Sequence, residues 1–140
     1  MKISPCGWFC FDEPVGWSSS DTPESILLHH QATDGVIEIT SARKESPVRE
    51  TDAWNLLEES MAAMPGSDWE ETAMFRLPSG VECLKSIQTM GGLVRGLAFV
   101  FWNQYCVQMK IQAKTDINKT QECVSGMNIL LESFQPLTLD

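Results

Sequence analysis

The residues able to do chemistry are few and poorly grouped. Two histidines stand side by side, His29 and His30. The segment around them, 25–31, reads as a strand, and adjacent side chains of a strand point to opposite faces. In a regular strand the two imidazoles therefore cannot serve one metal ion or one active site. Five cysteines are scattered along the chain: Cys6, Cys10, Cys83, Cys106 and Cys123. An odd number at such spacings does not make a disulfide framework. On a strand, Cys6 and Cys10 would share a face with Cα atoms about 13 Å apart. That is too far for a disulfide, and no CxxC loop of a zinc site occurs. A nucleophilic thiol needs a base beside it, and no spacing joins Cys83 or Cys106 to a histidine. The cysteines read as reduced, buried thiols.

The carboxylates are no better placed for catalysis. Glu58 and Glu59 fall on the solvated side of a helical pattern, and Glu70 and Glu71 sit on a strand pointing opposite ways. Paired-carboxylate chemistry needs both groups facing one cleft. Gly91-Gly92 precedes a strand, so it is a turn and not a phosphate loop, and no GxSxG or HExxH is present. No metal and no cofactor is expected, and the expected class is non-enzymatic.

Length and charge narrow the classes further. The 140 residues carry 43% hydrophobic and 21% charged side chains, the make-up of one folded domain spanning 1–140. The formal net charge is −9. Nucleic-acid binders need clustered Lys and Arg against phosphate, so nucleic acid is excluded as a partner. The same charge disfavours anionic membrane and suits a basic partner. Asp12, Glu13 and Pro14 follow the start too soon for an apolar signal segment, and no run is long enough to cross a bilayer. The expected location is the cytoplasm.

The elements that must position any site are clearer. Leu93–Trp102 is apolar on both alternating sets, so it needs cover on both faces. Tyr105–Ala113 alternates Tyr105, Val107, Met109 and Ile111 against Cys106, Gln108, Lys110 and Gln112, the pattern of a strand with one wetter face. Asn103-Gln104 joins the two runs. Further strands are predicted over 7–11, 25–31, 36–40, 69–77 and 81–89, with Asp34-Gly35 as a hairpin turn through positive φ. A helix is predicted from a Thr51 or Asp52 cap to Met64, with Trp54, Leu57 and Met61 on its buried stripe and Pro65-Gly66 as its stop. A second runs from an Asp116 cap to Phe134. Strands in quick succession must pair antiparallel. The predicted fold is α+β: an α/β/α sandwich with a central, largely antiparallel seven-stranded sheet and two main helices, one on each face.

Phe11-Asp12-Glu13-Pro14-Val15-Gly16-Trp17, of the form F-x-x-P-x-G-W, resembles the opening of the Mog1/PsbP/DcrB-like group. The Ile37-Glu38-Ile39 strand, the helix with Trp54 and Leu57, the Ser79-Gly80 turn, the long hairpin and the closing Leu130–Phe134 stretch fit it as well. These motifs mark turns and packing and span most of the chain. The resemblance implies an antiparallel sandwich. It also implies a mainly non-catalytic role, as in small-GTPase binders, photosystem accessory proteins, envelope proteins and chaperones of type VI secretion effectors. Because no export signal is visible, it points to the cytosolic adaptor and effector-chaperone branches. It carries over no site residue.

The expected function is a non-catalytic cytosolic protein-interaction module with a protein partner. The expected binding surface is the wetter face of the hairpin, Gln108, Lys110 and Gln112, with Trp17 near a rim among serines; core or edge packing is the commoner place for such a tryptophan and is the alternative for Trp17. The alternative is a small-ligand binder or enzyme with a pocket between sheet and helix, using a Cys or a His. A third reading is a homodimer formed by pairing an edge strand across a two-fold.

Overall fold

The computed structural model describes residues 1–64, 71–90, 92–114 and 119–138. The centre is the hairpin of β8, Leu93–Trp102, and β9, Tyr105–Lys114, paired from Leu93↔Lys114 to Trp102↔Tyr105. On β8, Leu97, Phe99 and Phe101 point to one face and Val94, Ala98 and Val100 to the other, and all six are buried. The polar pair Asn103-Gln104 turns the chain, with Asn103 in the left-handed region at φ 48°.

Around the hairpin lie β3 (Trp17–Asp21), β4 (Ser25–His30), β5 (Val36–Arg43), β6 (Glu71–Arg76) and β7 (Glu82–Met90). The seven strands run in the order β3-β4-β5-β9-β8-β7-β6, and every pair is antiparallel. Two meanders, β3 to β5 and β6 to β9, thus meet at the β5–β9 seam. α1 (Glu50–Ala62) connects them in sequence and packs on β8. α2 (Thr120–Ser133) packs on the opposite face, against β8 and β9. A second sheet of β1 (Lys2–Ile3), β2 (Phe9–Phe11) and β10 (Gln135–Pro136) closes that face beside α2. There Phe9 stacks on Phe134 at 5.2 Å, Trp102 meets Phe134 at 5.5 Å and Tyr105 at 5.4 Å, and Trp8 meets Tyr105 at 5.1 Å.

The α+β sandwich agrees with the expectation, and several details correct it. The strand predicted over 7–11 belongs to the small sheet. Its place in the large sheet is taken by Trp17–Asp21, whose serines show no apolar alternation because it is an edge strand with one buried residue, Trp17. Asp52 is not the cap of α1. Arg49 holds that position, and Asp52, at the third helical residue, accepts the Arg49 backbone N–H at 2.9 Å. Trp54 is 36% exposed, and the buried stripe of α1 runs instead through Ala53 and Leu57. Neither Asp34 nor Gly35 has a positive φ. Gly35 is needed for space: a Cβ there would lie 3.2 Å from the Trp17 ring and 3.3 Å from Cys123 Sγ. The Pro65-Gly66 stop and the Asp116 cap fall outside the described residues.

Gly126 lies inside α2, where glycine costs about 1 kcal/mol relative to alanine. Its backbone carries the Trp17 indole: a Cβ at 126 would stand 2.7 Å from Nε1 and 2.9 Å from Cζ2. Overpacking of this kind costs about 1–3 kcal/mol, more than the helix propensity returned. Gly126→Ala should therefore lower the midpoint of urea unfolding; an unchanged or higher midpoint would show that the indole has room to move.

Candidate functional site

The two faces of the large sheet are covered unequally. On the α2 side, Ile26, Leu28, Ile37, Ile39, Val107, Met109 and Ile111 are all buried. On the α1 side, the buried residues lie on β7 and β8, with Leu84, Ser86, Gln88, Arg95, Leu97, Phe99 and Phe101, and reach β9 at Cys106. The strands beyond present Ser18, Ser20, His29 and Glu38 exposed, with Leu27, Val36 and Thr40 half-buried. The expected surface lies on this open side: Gln108 and Lys110 are half-buried and Gln112 is exposed, in one row along β9. Lys110 stands directly opposite Glu38, and Gln112 opposite Val36.

Where α1 meets the open half there is a cleft of about 300 Å³, lined by Lys44, Val48, Asp52, Asn55, Leu56 and Glu59. A hollow of about 100 Å³ adjoins it across Lys44 and Leu56, floored by Ala42, Phe99, Cys106 and Gln108. One wall is the connection between β5 and α1, and the hairpin tip holds it there through backbone groups. Lys44 N–H donates to the Gln104 carbonyl at 2.7 Å and Val48 N–H to the Asn103 carbonyl at 2.6 Å. The Gln104 side chain donates to the Glu45 carbonyl at 3.0 Å. The other wall is the flank of α1 bearing Asp52, Asn55, Leu56 and Glu59, which recur at helical spacing. At 100° per residue Trp54 falls on nearly the opposite flank.

Trp17 is not at a rim. It is 6% exposed, on the α2 side, edge-on to the His30 ring at 4.9 Å. The large sheet thus brings Gln108, Lys110 and Gln112 together and puts Trp17 behind them. The reading from sequence missed Lys44, Val48 and Leu56, which no motif marks.

The thiols are not paired with histidines. All five cysteines are free, and only Cys6 is exposed. Cys83 on β7 and His30 on β4 are four strands apart, about 19 Å. Cys106 lies opposite Ala42, whereas His29 lies opposite Val36, six residues along β5, or about 20 Å. Burial pushes the Cys83 thiol up to about 12, with Lys85 opposing, and the Cys106 thiol up to about 11, with Lys44 opposing. Burial also raises Cys123, against a hydrogen bond from Thr33. Among the described residues no three His, Cys, Asp or Glu side chains are grouped to hold a metal ion. No helix among them is long and apolar enough to cross a membrane.

No family model matches the chain, and no curated protein matches it. Solved structures do. The solution structure of cyanobacterial PsbP (CyanoP) from Synechocystis sp. PCC 6803 superposes with a TM-score of 0.68 at 10% identity, covering 96% of this chain and 90% of that one. The fold is PsbP-like. LpqN, involved in cell envelope biogenesis of Mycobacterium tuberculosis, gives 0.57 at 11% identity over 91% of this chain and 82% of its own. A crystal structure from Bacteroides thetaiotaomicron VPI-5482 gives 0.63 at 13% identity over 96% of this chain. The chain spans about half of that protein, 47% of its length. At these identities the likeness is one of fold and assigns no residue a role.

The raised thiols have a consequence for stability. Below pH 9.0, the ordinary thiol value, folded and unfolded chains both hold the two protons. Above it the unfolded chain releases them first, so stability falls as pH rises from about 9 towards 11 and 12, by about 1.4 kcal/mol per pH unit for each thiol. Urea unfolding between pH 8 and pH 10.5 (roughly that window) should show this loss. In the Cys83→Ala, Cys106→Ala double variant the slope should be distinctly flatter, and an equal slope would refute the assignment.

Proposed function

We infer that this chain is a non-catalytic, single-domain protein-interaction module, of adaptor or chaperone type, that takes a peptide segment of its partner into the cleft beside α1. The observation that carries this is the unequal cover of the sheet, which leaves a formed cleft running onto an open strand face. Val48 and Leu56 in its walls, with Ala42 and Phe99 in the adjoining hollow, suit apolar side chains. Its helical rim carries Asp52 and Glu59 on a chain of net charge −9, which suits a basic segment and not nucleic acid. Gln108, Lys110 and Gln112 extend the surface with hydrogen-bonding side chains beside the cleft. Thiols held protonated by burial favour a binding role over nucleophilic catalysis. Five unpaired cysteines suit a reducing compartment and support a cytoplasmic location.

A small-ligand reading of the same cleft draws on its volume, about 300 Å³, at the lower end of the range for such sites. The open, mixed-charge rim favours the peptide.

Affinity capture from native extract separates the readings. The unaltered chain should retain a partner that both Leu56→Glu and the exposed-site variant Asn55→Arg lose, with melting temperatures of Asn55→Arg and the parent alike. Retention of the same protein by both variants, or capture of nothing under conditions that preserve weak complexes, would count against the cleft.

A further inference from the structure

A second cavity, of about 230 Å³, lies on the other side of the sheet, between the start of β3, the end of β4 and the first turns of α2. Trp17, His30, Glu122 and Ser125 supply its polar groups, and Val15 and Ile129, both exposed, flank its mouth.

Two of the polar groups, the Trp17 indole N–H and a His30 ring nitrogen, belong to side chains that are largely buried. Trp17 is 6% exposed, and its indole meets α2 at Gly126 through Nε1. The His30 side chain is 8% exposed. The Ala32 backbone N–H, which can only donate, points at His30 Nδ1 at 3.3 Å, and the Thr33 hydroxyl lies 2.9 Å from the same nitrogen. Nδ1 is therefore the acceptor, and the neutral ring carries its proton on Nε2. Nε2 looks towards Glu122 Oε2 at 4.0 Å, beyond hydrogen-bond length. Gly16 lies beside this nitrogen, where a Cβ would come into van der Waals contact with Nε2 at 3.7 Å.

The cavity thus offers two fixed N–H donors, a carboxylate acceptor and one hydroxyl. An anion would meet Glu122 and a cation would meet the two N–H groups. A hydroxyl satisfies the set, because it accepts from the two N–H groups and donates to the carboxylate. The space equals roughly seven or eight waters at ~30 Å³ each, enough for a sugar-sized molecule. We propose that this cavity binds a small uncharged polyol of monosaccharide size, its hydroxyls on Trp17, His30 and Glu122 and its C–H edges against Val15 and Ile129. The site is separate from the cleft beside α1 and does not depend on the reading of that cleft.

The Trp17 indole N–H resonance, identified by its loss in Trp17→Phe, tests this in the full chain. Titration with a set of pentoses, hexoses and hexitols should shift that resonance and the His30 ring signals saturably for at least one of them, leaving the other four indoles in place. Acetate and methylammonium should not. Glu122→Ala, at a half-exposed position, should weaken binding roughly tenfold or more, while Glu122→Gln, which keeps an acceptor, should weaken it less. The unchanged indole signals report that each variant is folded. No saturable shift with any polyol, a preference for either charged probe, or equal affinity in Glu122→Ala would overturn the proposal.

Discussion

A strand buried on both faces sets the terms for this molecule. β8 carries Leu97 and Phe99 on one side and Ala98 and Val100 on the other, all withdrawn from water. Each buried apolar side chain of this size stabilises by about 1.5–3 kcal/mol, but only if both sides are covered. No hairpin alone does that. The chain answers with two different covers, a single helix on one side and a helix plus a three-stranded sheet on the other. The aromatic cluster of Phe9, Phe134, Trp102 and Tyr105 joins the small sheet to the hairpin on the second side.

The difference between the covers produces the cleft. α1 is thirteen residues long and reaches about half of a seven-stranded face. The uncovered half can stay wet because its outward side chains are mostly polar, as Ser18, Ser20, Glu38 and Gln112 show. The boundary between the dry and wet halves runs along the β5–β9 seam, beside the two hollows that flank α1. Scaffold and candidate surface are therefore two faces of one strand: Val107 and Met109 of β9 serve the core, and Gln108 and Lys110 face outwards.

How much of this was legible varied with the kind of signal. Period-2 alternation in 105–113 announced both the core set and the outward row, and the structure keeps them so. Two-sided hydrophobicity in 93–102 announced the need for covers on both faces. It could not say that one cover would be partly a sheet, because Phe9-Cys10-Phe11 looks like a strand whichever sheet it joins. Trp17 among serines looked like a surface residue, since the partners that bury it, Gly35, His30 and Gly126, are distant or lack side chains. Trp54 was assigned to the wrong flank because a stripe centred on Ala53 is marked by its smallest member. The cleft was invisible for a plainer reason: backbone hydrogen bonds from Lys44 and Val48 to the hairpin tip build its wall, and these leave no trace in residue type.

The small sheet also has a consequence in time. β2 is completed on one edge by β1, a few residues away, and on the other by β10, more than a hundred residues later. Loop closure over that distance is slow compared with a local hairpin. Phe9 and Phe11 are thus made well before Phe134 and α2, the groups that cover them. In a chain growing from its N-terminus, these two rings wait in water while both meanders of the large sheet are built, and the last segment to arrive is the one that closes them in.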